Sequence, residues 1–350
     1  MRSFAVWYKP SNHYNSKGKN INGDNRIPKD QIHVNFWSQI RDKLSVEKCF
    51  FDFGIYVDDI RKVDTIYLYC PFEVDKNDVH DLGSRLSSDG LVCALFNENY
   101  AVTNGYPKRF FVDCNGCGDN FIIYSLMEDS EISIEYCRRD KIKPDFDKAK
   151  CSGKGSIICM KVDGLHNNSK SDIKEIYRYY FRIRVIVDKF NLNLITQKIN
   201  GESIFSDSFT STEVMDFRLN DIRSCCSEVK DRFKNGTHFN FKSIHYLVMR
   251  DAENKVLAEG NTYACRLLEH DIWQQYVDCL KENIMAYHFK KVSNGNKSAG
   301  NLVVVTRFKT KRSNWITILG AFVVALLLGV LGNIFSVPVI KWLSKIGIIS

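Results

Sequence analysis

Hydrophobic and polar positions alternate along much of this chain with the two-residue period of a half-buried β-strand. The clearest run is 176–188. Arg178, Tyr180, Arg182 and Arg184 fall on one face, and Tyr177, Tyr179, Phe181, Ile183, Val185 and Val187 on the other. Residues 131–136 alternate in the same way, with Glu131, Ser133 and Glu135 on the wet side. Apolar, aromatic-rich runs at 49–57 and 65–72 predict adjacent buried strands, and further strands are expected at 91–96, 109–113, 120–126, 156–162, 191–199 and 302–308. Residues 242–250 and 255–263 are expected to form a hairpin around 251–254.

Helical spacing is rarer. Phe36, Ile40 and Leu44 predict a helix over 30–44, and Val79, Leu82 and Leu86 a short one over 76–87, with Asp75 as its cap. Leu219, Ile222, Cys226, Val229 and Phe233 mark another stripe, as do Ile272, Trp273, Tyr276 and Leu280. The first 30 residues read as loop or weak strand. Closely spaced strands without long intervening helices predict the α+β class: mostly antiparallel sheets, a few short helices and one C-terminal transmembrane α-helix. A soft break at 164–172 divides the soluble part into 1–165 and 166–312, two regions that also fit one continuous domain. The span follows at 313–343 and a short tail at 344–350.

The span rests on charge as much as on hydropathy. No ionisable side chain occurs from Ser313 to Ile340, and a bilayer core needs about 20 apolar residues in helical form. Trp315 and Trp342 are placed as interfacial anchors, and Pro338 is expected to end or kink the helix. Thr317, Ala321, Ala325, Gly329 and Asn333 recur every four residues and so share one small or polar helix face. Such a face lets two helices approach closely and predicts a homo-oligomer.

The formal net charge of +8 sharpens this picture. Asp and Glu are absent from 283–350, which hold nine basic residues, so 1–282 are nearly neutral. The excess charge therefore sits beside the span, where Arg307, Lys309, Lys311 and Arg312 suit anionic lipid headgroups. A nucleic-acid partner is disfavoured, because the soluble part carries no basic excess of its own. Positive flanks stay cytoplasmic, and the first ten residues lack the apolar core of a signal peptide. The N-terminal domain is thus expected in the cytoplasm, where most of the twelve cysteines would be buried free thiols and the sequons at Asn167, Asn235 and Asn296 would have no meaning.

Chemistry-bearing motifs are few. Cys114 and Cys117 have the spacing of a zinc knuckle, but no second Cys-x-x-Cys completes it. The preferred reading of that stretch is a hairpin turn, with Asn115-Gly116 supplying positive φ angles, and a redox pair is a further alternative. No cofactor is otherwise predicted. Arg178, Tyr180, Arg182 and Arg184 form the best candidate surface for a phosphate ligand or a stacked base, against a plainer reading as an exposed, salt-bridged strand face. Residues 151–156 lack phosphate-loop spacing, and the eight histidines form no recognised catalytic pattern. The expectation is a single-pass, C-terminally anchored protein, leaning away from an enzyme, whose cytosolic domain binds a small-molecule or protein ligand. A membrane-acting effector of bacterial defence has this layout. The alternatives are a membrane-moored enzyme with unidentified catalytic residues and a nucleotide or nucleic-acid sensor built on the arginine strand.

Overall fold

The computed structural model describes residues 2–12, 27–41, 47–105, 108–114, 119–126, 131–138, 154–165, 176–199, 210–257, 263–278, 280–311 and 315–345. The strands of the first half are β1 (Ala5–Pro10), β2 (Asp30–Arg41), β3 (Glu47–Val57), β4 (Val63–Cys70), β5 (Val79–Asp81), β6 (Tyr100–Gly105), β7 (Arg109–Cys114), β8 (Phe121–Tyr124), β9 (Ile132–Arg138) and β10 (Lys154–Lys161). The second half supplies β11 (Tyr179–Val187), β12 (Thr196–Ile199), β13 (Thr210–Leu219), β14 (Phe241–Asp251), β15 (Lys255–Leu257), β16 (Tyr263–Leu267), β17 (Ile284–Val292) and β18 (Leu302–Lys311). The helices are α1 (Asp89–Phe96), α2 (Lys189–Leu192), α3 (Ser227–Asn235), α4 (His270–Trp273) and the long α5 (Trp315–Lys345).

The strands make three sheets, mostly antiparallel, as the α+β reading expects. The central one runs β16-β17-β14-β2-β3-β11-β8-β7-β6, with β5 also beside β11, and so interleaves strands from both halves of the chain. Its parallel pairs are β14 with β2 and β11 with β8. Two smaller sheets, β1-β4-β10-β9 and β12-β13-β18-β15, are bridged at Phe4 and Leu219. Both cover one face of the central sheet. The main core lies between them: Phe51, Phe53 and Ile183 from the centre, Leu68 and Ile158 from the first small sheet, and Phe217 and Phe308 from the second. Phe4 joins the layers, its ring within 6 Å of Phe51, Phe53, Phe72 and Phe217.

Burial on both faces of the central sheet explains where the sequence pattern misleads. Residues 30–41 form β2, not a helix: Ile32, Val34 and Phe36 enter the main core, while His33, Asn35 and Trp37 face the opposite side. Period two therefore wins over the four-residue spacing of the larger apolar side chains. Residues 76–87 hold a short 3-10 turn and β5 rather than a helix. There the Asp81 carboxylate takes the Ser125 hydroxyl at 2.6 Å and the backbone N–H groups of Leu126 and Gly83.

Residues 91–96, read as a strand, are helical in α1, which stops at Asn97 with φ 57°. Residues 191–199 split into α2, capped by Asp188 at the Asn191 N–H, and β12. The stripe from Leu219 breaks at Asn220, with φ 55°, so the helix starts only at Ser227. The stripe from Ile272 yields one short helix, α4, although Trp273, Tyr276 and Leu280 are buried as expected. Among the described residues, 242–250 and 255–257 do not pair with each other as the expected hairpin. β14 pairs with β2 and β17, and β15 pairs with β18. The first residues are firmer than expected, with β1 placing Ala5, Val6 and Trp7 in the interior.

Candidate functional site

The most conspicuous exposed feature is α5. Its 31 residues rise about 46 Å at 1.5 Å each. Within it Phe322–Lys341 has a mean hydropathy of 2.4 and is 0% buried, long and apolar enough to cross a membrane. Phe322, Leu326, Leu327 and Val330 are each more than half exposed, an arrangement that suits lipid rather than water. The helix runs on through Pro338 to Lys345 instead of ending there. Ala325, Gly329 and Asn333 stack on one exposed face, and Thr317 and Ala321 continue its register. Before the helix, Arg307 and Lys309 are exposed on β18, Lys311 ends that strand, and Arg312 lies outside the described residues.

The arginine strand is placed differently from an exposed salt-bridged face. β11 is central, and its arginine side is roofed by residues 268–284, including Trp273 and Tyr276. Arg182 is fully buried and Arg184 is 9% exposed. The hub is Asp52, itself 0% exposed. Its carboxylate accepts from Arg184 Nε at 2.7 Å and Nη2 at 3.0 Å, and from Trp37 Nε1 and the Tyr276 hydroxyl, both at 2.9 Å. Arg182 Nε donates to the Tyr276 hydroxyl, and Nη1 to the Tyr180 hydroxyl at 2.8 Å. The Tyr180 ring reaches across Gly54, where an added Cβ would stand 1.9 Å from its hydroxyl oxygen. Burial holds the Tyr180 and Tyr276 phenols neutral by raising their pKa values. Arg178 lies at the open end of the strand, paired with Asp58 at 3.3 Å and Asp119 at 2.8 Å.

Two buried guanidiniums thus stand by one buried carboxylate, Arg184 bonding it directly and Arg182 through the Tyr276 hydroxyl. Arg182 Nη2, both amide atoms of Asn35 and Trp273 Nε1 lack hydrogen-bond partners among the described residues. Asn35 sits opposite Asp52 in the β2–β3 pairing. Beside them three histidines meet: His33 Nδ1 lies 3.3 Å from the Tyr180 hydroxyl, its ring is 4.8 Å from that of His245, and His245 Nδ1 is 3.0 Å from His288 Nε2. Burial drives His33 well below its ordinary pKa and His245 to about 3, with the neighbouring His288 and Lys290 adding to the second shift. Three neutral imidazoles can share protons in such a chain, whereas protonation would set N–H against N–H.

The β7–β8 hairpin around the Cys-x-x-Cys motif is present. Its tip, 115–118, lies outside the described residues and includes Cys117. Cys114 is disulfide-bonded. Eight other described cysteines stand outside any disulfide, six of them buried, Cys226 included. No group of three or more His, Cys, Asp or Glu side chains with metal-binding geometry occurs among the described residues. A separate cleft of about 400 Å³ opens on the first small sheet beside Trp7, Tyr67 and Arg232. Sequence reasoning missed it, although the Trp7-Tyr8-Lys9 run that lines it was a visible sign of structure.

Fold and helix together define an α+β protein with one candidate membrane-spanning helix at its C-terminal end. No protein-family model matches the chain, and no curated protein is detectably similar to it.

Proposed function

We propose that this is a single-pass membrane protein whose α+β body faces the cytoplasm, receives a ligand or partner there, and self-associates through the span. The observation that carries the reading is the unburied apolar surface of Phe322–Lys341, which water would penalise along its whole length. Basic residues before the span outnumber Lys341 at its end and Lys345 beyond it, which supports the cytoplasmic placing. The face at Thr317, Ala321, Ala325, Gly329 and Asn333 supports association, because backbones can touch where Gly329 carries no side chain. Such a layout suits a membrane-acting effector, including one of bacterial defence, in which ligand is read in the soluble body and action follows in the bilayer. Crosslinking of the full-length protein in membranes tests association. The wild type should give dimers or larger species, and Gly329→Leu should weaken them several-fold. Equal crosslinking of both would sink the self-association reading.

One observation favours a second reading. The buried network has one guanidinium more than its carboxylate balances, and Arg182 Nη2 has no hydrogen-bond partner among the described residues. A small anion or nucleotide phosphate admitted beneath the 268–284 roof would supply the missing charge. Inorganic phosphate and nucleotides should then raise the melting temperature of the full-length protein, and Arg182→Met should abolish that rise. No rise with any of them would leave the arginines a purely structural role.

A further inference from the structure

We propose that the buried network at Arg182 and Asn35 binds a singly charged oxyanion that keeps one hydroxyl, of the kind of hydrogencarbonate or dihydrogen phosphate. The proposal rests on the second reading above and selects the small anion over the nucleotide.

Charge balance sets the valence. Arg182 and Arg184 are both buried. Asp52 pairs with Arg184, and Arg182 is in no ion pair among the described residues. The neighbouring acids are engaged elsewhere. Asp81 shares its register with Ile183, on the opposite face of β11, and accepts from Ser125. On the roof Glu269, Asp271, Asp278 and Glu282 are all exposed, and Asp278 is tied to Arg85. The Tyr180 and Tyr276 phenols are neutral. One positive charge is therefore left in the interior, where an uncompensated charge is costly. A monoanion cancels it, whereas a phosphate dianion or a nucleotide overshoots.

Hydrogen-bonding capacity sets the chemistry. Among the described residues Arg182 Nη2, Asn35 Nδ2 and Trp273 Nε1 are donors without a partner, and Asn35 Oδ1 is an acceptor without one. All three side chains are at most 1% exposed. They share one neighbourhood of the sheet. Asn35 lies opposite Asp52, and the adjoining pair on the same face sets Gly54 opposite Arg182. The Trp273 ring lies 5.8 Å from that of Trp37, which follows Asn35 on its face of β2. Buried groups left without hydrogen bonds are destabilising. The oxygens of an oxyanion accept from these donors, and its single hydroxyl donates to Asn35 Oδ1; chloride leaves that acceptor unmatched. The Tyr180 hydroxyl occupies the space over Gly54, and Trp273 and Tyr276 close the roof, so the site suits an ion of few atoms rather than a base and sugar.

The test is thermal unfolding of the full-length protein in detergent micelles, titrated separately with hydrogencarbonate, phosphate, chloride and ATP. Hydrogencarbonate or phosphate should raise the melting temperature by roughly 3 °C or more at saturation, and chloride and ATP should not. A rise with phosphate should shrink in alkaline buffer, where the dianion takes over. Asn35→Asp places the counter-charge inside the protein, and Asn35→Leu removes the amide; both should abolish the response, with tryptophan fluorescence reporting that each variant is folded. The anion panel on the wild type is decisive by itself if a variant does not fold. A response retained in both variants, or an equal rise with chloride or ATP, overturns this proposal, and Arg182→Met then decides the wider anion reading. No rise with any of the anions overturns both.

Discussion

Asp52→Asn is the most informative single change in the soluble body. The carboxylate is fully buried and takes four hydrogen bonds, two of them from Arg184. Asparagine keeps the shape and one acceptor oxygen but removes the anion, leaving Arg182 and Arg184 as adjacent buried cations. Removing one partner of a buried ion pair costs about 3–5 kcal/mol, because the other is left uncompensated. Against a typical total stability of about 5–15 kcal/mol, that is a large fraction. With a urea slope near 3 kcal/mol per molar, the midpoint should fall by about 1–1.7 M. The assay is urea unfolding of the full-length protein in detergent micelles, followed by tryptophan fluorescence, since Trp37 bonds directly to Asp52. Arg184→Gln in the Asp52→Asn background should cost little more, because the pair is then removed together. A loss below about 1 kcal/mol for Asp52→Asn, or strict additivity of the two changes, would refute a water-excluded ion pair.

Two further perturbations probe the same face. Gly54→Ala drives a methyl group into the Tyr180 hydroxyl and the Arg182 guanidinium; it should cost about 1–3 kcal/mol by overpacking, measured as a drop in the urea midpoint. The histidine cluster predicts acid sensitivity. His33, His245 and His288 are held below their ordinary pKa, so on acidification the unfolded chain takes up protons near 6.5 that the folded chain refuses. Stability from this source is complete above about pH 6.5 and is lost as pH falls toward 3. At pH 5 His245 alone should account for about 1–2 kcal/mol, and His245→Gln should flatten the pH dependence of the urea midpoint accordingly.

The class of the fold was legible in the sequence because alternation marks strands wherever one face is wetter than the other, as in β9, and because the arginines of β11 give the same period although their face is covered. The central sheet was harder to read because neither face is wet. In β2 the polar side chains His33 and Asn35 are as buried as Ile32 and Val34, so hydropathy offers no clean period. Pairing was illegible for another reason. β15 follows β14 in sequence yet pairs with β18, and β14 joins β2 in parallel across some two hundred residues. Local turn chemistry carries no information about such partners. The arginine stripe was found as a pattern, but its burial was not, because the roof over it comes from residues 268–284. Asp52, the hub, carried no signal beyond being an acid amid aromatic neighbours in β3. The apolar helix was plain from the start, since a long uncharged stretch needs no tertiary information to be recognised.

The central claim is that Phe322–Lys341 resides in lipid. Alkaline carbonate extraction of membranes from cells making the full-length protein tests it directly. The account predicts that the protein stays in the pellet at pH 11 and is released only by detergent. Its recovery in the carbonate supernatant, folded and monomeric, would contradict the anchor and every reading built on it.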